Sequence, residues 1–245
     1  MARPIRTPSL SLLAALALAL ATPTAAQAQA YQCRAPASVP AARAETGQPR
    51  RMAIAGYTLA LSWSPEFCRG RERDPGERLQ CSGAMGRFGF VVHGLWPEGR
   101  VGYPQYCRRL PPPSPAVVRG QLCRTPKVAW IAHEWAKHGS CMARRPEGYF
   151  RVGNILADAM LYPAMERLSR NGEAKPGSLT AGKLRAAFAA ANPGRPANSF
   201  GLRLSERGWL REVLVCLDRR FRPRQCPAAQ AGVRDATAVK IWRGL

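Results

Sequence analysis

Residues 130–141 read Trp130-Ile131-Ala132-His133-Glu134-Trp135-Ala136-Lys137-His138-Gly139-Ser140-Cys141. Two of the chain's three histidines fall here, beside a glutamate and a lysine, and the third, His93, lies in Phe90-Val91-Val92-His93-Gly94-Leu95-Trp96-Pro97-Glu98. The first stretch belongs to a helix expected over residues 127–141 and closed by Gly139. The second continues an apolar strand expected over 88–93, which places His93 at a strand end, facing a cleft. Histidine is the side chain whose unperturbed pKa lies near neutrality, so two imidazoles brought together from a strand and a helix can hold an acid and a base at one pH.

His-Glu followed by a second His invites a zinc-protease reading. That motif needs histidines at i and i+4, about 40° apart around a helix, whereas the five-residue step from His133 to His138 rotates them by roughly 140°. The pairs sharing a face of a regular helix are Glu134 with His138, where the carboxylate is expected to raise the histidine's pKa, and His133 with Lys137, which suits an anion. The competing reading is a helix with solvated charges and a core histidine. It weakens because every histidine in the chain sits in these two blocks.

His93-Gly94-Leu95-Trp96-Pro97 and His133-Glu134-Trp135-x-Lys137-His138-Gly139-x-Cys141 resemble the two active-site segments of the ribonuclease T2 family, secreted endoribonucleases that need no metal. A thinner resemblance covers Tyr57-Thr58-Leu59-Ala60-Leu61-Ser62-Trp63-Ser64-Pro65 with Cys68, and Arg211-Glu212-Val213-Leu214-Val215-Cys216-Leu217-Asp218 with Cys226-Pro227. It implies cleavage of single-stranded RNA by attack of the 2′-OH on the adjacent phosphorus, through a 2′,3′-cyclic phosphate. That reaction needs a base, an acid and a cation for the developing charge. By resemblance His93 and His138 are the acid–base pair, Lys137 stabilises charge, Glu134 orients, and His133 binds phosphate. Trp96 and Trp130 would stack on bases, the alternative being core tryptophans. Glu98 replaces an aspartate that often reads a base edge, Tyr103 or Tyr106 would complete that pocket, and Ser62 replaces a glutamine of many relatives. No metal or cofactor is expected, DNA should bind weakly and stay uncut, no integral membrane contact is foreseen, and a monomer is expected.

Eight cysteines, an even number, suggest a disulfide framework. The resemblance implies Cys107–Cys141 and Cys216–Cys226; local spacing suggests Cys68–Cys81, leaving Cys33–Cys123. Residues 1–30 read as a signal peptide: Arg3 and Arg6, an apolar run over 10–21, and Ala28-Gln29-Ala30 as a cleavage pattern. A periplasmic or secreted protein follows. Residues 31–52 read as a loose arm and 53–245 as one ribonuclease T2-like catalytic domain. Strands are expected over 57–63 and 212–217, with a weaker one near 239–242. Helices are expected over 149–169, kinked at Pro163 with Phe150, Ile155, Leu156, Met160 and Leu168 buried, and over 179–191. The fold class is α+β: a central, mainly antiparallel sheet packed by helices, in a disulfide-stapled single domain.

The chain has 37 Lys and Arg against 15 Asp and Glu, a formal charge of +22. Such a chain associates with polyanions by counterion release, largely without sequence preference. Charge alone would equally suit a catalytically silent polyanion binder or a cationic membrane-disrupting protein. A silent relative should have lost a histidine, and this chain keeps all three.

Overall fold

The computed structural model describes residues 30, 31 and 33–244. Residues 1–29 of the expected signal peptide lie outside them. The strands are β1 (Ala30–Tyr31), β2 (Gly56–Trp63), β3 (Arg87–Phe88), β4 (Phe90–Glu98), β5 (Phe200–Leu204) and β6 (Leu210–Leu217). Four form an antiparallel sheet in the order β4-β2-β6-β5, and β1 pairs with β3 as a two-residue ladder.

Residues opposed across antiparallel strands share a face. Leu59 opposes Leu95 and Val215, Leu61 opposes Val92 and Val213, and Trp63 opposes Phe90. With Phe200 and Leu202 of β5 these side chains form the buried core. The other face carries Thr58 opposite Trp96, Ala60 opposite Gly94, and Ser62 opposite Glu212.

Phe90 and Val92 keep the two-residue period, but the next core residue, Leu95, comes three positions on. The register slips by one between Ala60 and Leu61, which leaves His93 as the extra residue of a β-bulge. His93 is therefore not at a strand end as expected. The strand continues to Glu98, and the bulge aims the imidazole while both flanking apolar pairs stay in the core.

The helices are α1 (Ser64–Cys68), α2 (Arg78–Cys81), α3 (Pro115–Gln121), α4 (Val128–Glu134), α5 (Ser140–Met142), α6 (Pro146–Asp158), α7 (Met165–Ala174), α8 (Ala181–Ala191) and α9 (Ala228–Ala231). α3 starts just past Pro111-Pro112-Pro113, with the Ser114 hydroxyl accepting from the Val117 N–H and Pro115 in the first turn. The helix expected over 149–169 is two helices, α6 and α7, with Pro163 in the break; Phe150 and Met160 are buried but Ile155 is 58% exposed. Near 239–242 only isolated bridges form, at Ala238 and Lys240, and β5 had no counterpart among the expected strands.

The helix expected over 127–141 departs most from a regular rod. α4 passes into a π turn, Trp135–Gly139, and then into α5. Gly139 does not stop it. A Cβ there would lie 2.5 Å from Cε3 of Trp135 and 2.9 Å from Cγ of Tyr149, so glycine is required by close packing.

The disulfides are Cys33–Cys123, Cys68–Cys81, Cys107–Cys141 and Cys216–Cys226. The third ties the loop after Tyr106 to the end of the π-containing helix. Residues 33–55 form no helix or extended strand, yet they are tied down by Cys33–Cys123 and by an antiparallel bridge between Arg50 and Gln105. No helix among the described residues is long and apolar enough to cross a membrane.

Candidate active site

The bulge presents His93 to two carboxylates. Its Nδ1–H donates to Oε1 of Glu212 at 2.6 Å, and Nε2 lies 3.7 Å from Oε1 of Glu134. A carboxylate only accepts, so Nδ1 carries the proton. The Ser62 hydroxyl donates to the same Glu212 oxygen at 3.0 Å, and the Arg203 guanidinium is 3.9 Å from the other. Trp130 stacks on the imidazole with ring centres 4.9 Å apart and planes 11° from parallel, and Trp96 meets it edge-on at 5.1 Å. The Trp96 indole N–H donates to Oε2 of Glu134 at 2.9 Å. Gly94 permits this approach, since a Cβ there would lie 1.9 Å from that oxygen.

Burial by itself lowers the pKa of His93, but the Glu212 hydrogen bond and the charges of Glu134 and Glu212 outweigh it and Lys137, so the net shift is upward. For Glu212, burial pushes upward while the hydrogen bond and charge of His93, with Ser62 and Arg203, bring the carboxyl below its usual range. Burial holds Glu134 above its usual range against the opposing pull of His93 and Trp96.

His138 has the reverse surroundings. It is 5% exposed on the π turn, its Nδ1 is buried with no hydrogen-bond partner among the described residues, and Trp96 and Tyr103 lie 5.8 and 5.9 Å away, ring to ring. Burial first, then the charges of Lys137, His133 and His93, push its pKa down to about 2. The expected pairing of Glu134 with His138 is thus corrected. The π turn closes i→i+5 hydrogen bonds and so breaks the i,i+4 alignment of a regular helix; Glu134 faces His93 and Trp96 of β4, and the pKa of His138 falls instead of rising. The Nδ1–H of His133 donates to Oε1 of Glu45 at 2.6 Å.

Lys137 Nζ lies 5.8 Å from the centre of the Tyr103 ring, and its carbonyl accepts the Tyr106 N–H at 2.8 Å. Trp130, read as a base platform, has one face on His93 and meets Phe67 edge-on at 5.6 Å. Glu98 is 6% exposed, and burial raises its pKa against Gln230, Arg224 and Arg203 nearby. It sits two residues beyond Trp96 and outside the catalytic cluster. Among the described residues no group of three or more His, Cys, Asp or Glu could hold a metal ion.

Two carboxylates that hydrogen-bond the histidines escaped the sequence reading, Glu212 and Glu45. Glu212 had a signal: it is a lone carboxylate in an apolar strand, alternating onto the face opposite Val213 and Val215. Its partner appears only when β4 and β6 are both registered against β2. Glu45 stands in an irregular stretch with no periodicity to read.

Two imidazoles with opposite surroundings thus lie together with a glutamate and a lysine on an α+β scaffold. Residues 55–226 match the Ribonuclease T2 family, and the chain belongs to that family; it is an endoribonuclease. A ribonuclease of Aeromonas hydrophila is 34% identical over 163 residues, covering 66% of this chain and 71% of that protein. Ribonuclease S-2 of Nicotiana alata is 26% identical over 201 residues, covering 71% and 86%. Among solved structures, RNase NT in complex with 5′-AMP superposes with a TM-score of 0.56 at 19% identity, covering 78% of this chain and 98% of that one. Trichomaglin, an S-like ribonuclease, gives 0.57 at 20% identity, covering 77% and 97%.

Proposed function

We propose that this endoribonuclease cleaves single-stranded RNA by transphosphorylation, with His138 as base and His93 as acid in the first step. The observation that carries the assignment is the carboxylate count around each ring: among the described residues, two for His93 and none for His138. His138, neutral at physiological pH, takes the proton of the 2′-OH. The 2′ oxygen bonds to phosphorus, the P–O5′ bond breaks, and protonated His93 gives its proton to the departing 5′ oxygen. When water opens the 2′,3′-cyclic phosphate the roles reverse. Lys137 neutralises charge growing on the phosphoryl oxygens, and His133 binds phosphate. Glu212 holds His93 by Nδ1, so that the Nε2–H is the one delivered.

DNA has no 2′-OH and remains uncut. The RNase NT complex supports nucleotide binding on this fold, where Trp96, Trp130, Tyr103 and Glu98 are the base-side candidates. Four disulfides suit an oxidising compartment, which supports a periplasmic or secreted enzyme. The test is hydrolysis of an RNA oligomer and its all-deoxy counterpart in excess EDTA, with products assayed for a 2′,3′-cyclic phosphate. RNA-only cleavage through that product is expected. Activity restored only by added metal would overturn the two-histidine mechanism.

A further inference from the structure

The family match begins at residue 55, yet the irregular segment before it reaches the active site. One oxygen of Glu45, Oε1, accepts both the Nδ1–H of His133 at 2.6 Å and the Tyr106 hydroxyl at 2.7 Å. Around this contact the arm follows the loop that carries Tyr103 and Tyr106. Arg50 and Gln105 exchange two backbone hydrogen bonds of 2.9 Å, Arg50 Nε donates to the Tyr103 carbonyl at 2.6 Å, and its guanidinium lies 4.3 Å from the centre of the Tyr103 ring. Arg51 Nε donates to the Cys107 carbonyl at 2.9 Å. Gly47 lies flat against Tyr106, whose ring a Cβ would approach to 2.3 Å. Tyr106 itself has φ +47°, a backbone conformation that persists only where its surroundings enforce it. Those surroundings are the arm on one side and the Lys137 carbonyl on the other.

The His133 side chain keeps 35% of its surface exposed, and with Nδ1 occupied, Nε2 is the nitrogen left for a ligand. A carboxylate that accepts from one imidazole nitrogen fixes the ring's orientation, and in the protonated ring the other N–H is left to donate to a phosphate. We propose that the N-terminal arm is a working part of the substrate site, with Glu45 a positioning residue that turns His133 Nε2 and the Tyr103–Tyr106 loop toward an RNA phosphate. This rests on the reading of His133 as a phosphate-binding residue. It also makes an opposite role testable: a carboxylate beside a phosphate-binding histidine could instead compete with the phosphate.

The experiment is steady-state cleavage of an RNA oligomer by the oxidised full chain and by Glu45→Ala, Glu45→Gln, His133→Ala and the Glu45→Ala/His133→Ala double variant, with inhibition by inorganic phosphate measured on each. Glu45→Ala should raise KM and the phosphate inhibition constant about tenfold with kcat little changed. Glu45→Gln, whose amide oxygen still accepts, should recover much of that loss. In the His133→Ala background, removing Glu45 should add nothing further. Gly47→Val, which leaves Glu45 intact but displaces the arm from Tyr106, should raise KM in the same way. Unchanged kinetics in Glu45→Ala, tighter binding of RNA and phosphate, or an equal loss in both His133 backgrounds would each overturn the proposal. If His133→Ala itself leaves KM and phosphate inhibition untouched while Glu45→Ala raises them, the reading of His133 fails, and the arm acts through the tyrosine loop instead.

Discussion

The bulged strand around His93 and the π turn around His138 hold the same side chain in one site and share the Trp96 indole as a neighbour. Their chemistry is opposite. The sheet brings Glu212 and Glu134 to His93 from two separate elements, whereas the helix surrounds His138 with apolar packing and cations. An imidazole's proton affinity is thus set by its burial together with the charges the supporting elements deliver, and a sheet bulge and a π turn are two ways of re-aiming one side chain without disturbing the core behind it.

Removing either ring should have the largest effect. His93→Phe and His138→Phe are each expected to lower kcat by about 10²–10⁴-fold in a folded protein, and the double variant should be little worse than the poorer single one. Normal turnover in either, with an unaltered circular dichroism spectrum, would break the comparison outright. Next comes the cation beside His138. Lys137→Met removes a positive charge that disfavours the imidazolium, so the pKa of His138 should rise from about 2 toward its ordinary value and the acid limb of kcat/KM should move to higher pH. The loss of charge stabilisation should cost about 10²–10³-fold in kcat. NMR titration of the ring checks the shift separately from activity.

A smaller effect is expected on the other side. Glu212→Gln keeps an acceptor for Nδ1 but removes a charge that favours protonated His93. The pKa of His93 should therefore fall, moving the alkaline limb to lower pH, with about a tenfold loss of kcat at neutral pH. An unmoved alkaline limb would separate the acid's proton affinity from Glu212. Smallest of all, Trp130→Leu removes the ring stacked on His93, a contact contributing about 0.5–1.5 kcal/mol. A few-fold drop in kcat/KM and a modestly lower Tm are expected.

The candidate chemistry was legible in the chain because it depends on residue types: three histidines confined to two blocks, a lysine and a glutamate between two of them, and cysteines in even number. Strand β2 was legible from local alternation, and helix α8 from the Asn192-Pro193-Gly194 that ends it. Two local signals pointed the wrong way. The i,i+4 spacing of Glu134 and His138 assumes a regular helix, and the π turn removes that assumption; Gly139 looked like a stop and is instead a packing contact with Trp135 and Tyr149.

By itself, the sequence determined the α+β class and the set of groups able to move a proton. Tertiary structure decided which carboxylate serves which histidine: Glu212 comes to His93 from 119 residues away, and Glu45 comes to His133 from 88. The physical reason is that local sequence sets the period of an element, while a bulge's position, a strand's register and an arm's path are chosen by the packing of distant residues. The raised pKa of His93 follows from those long-range choices.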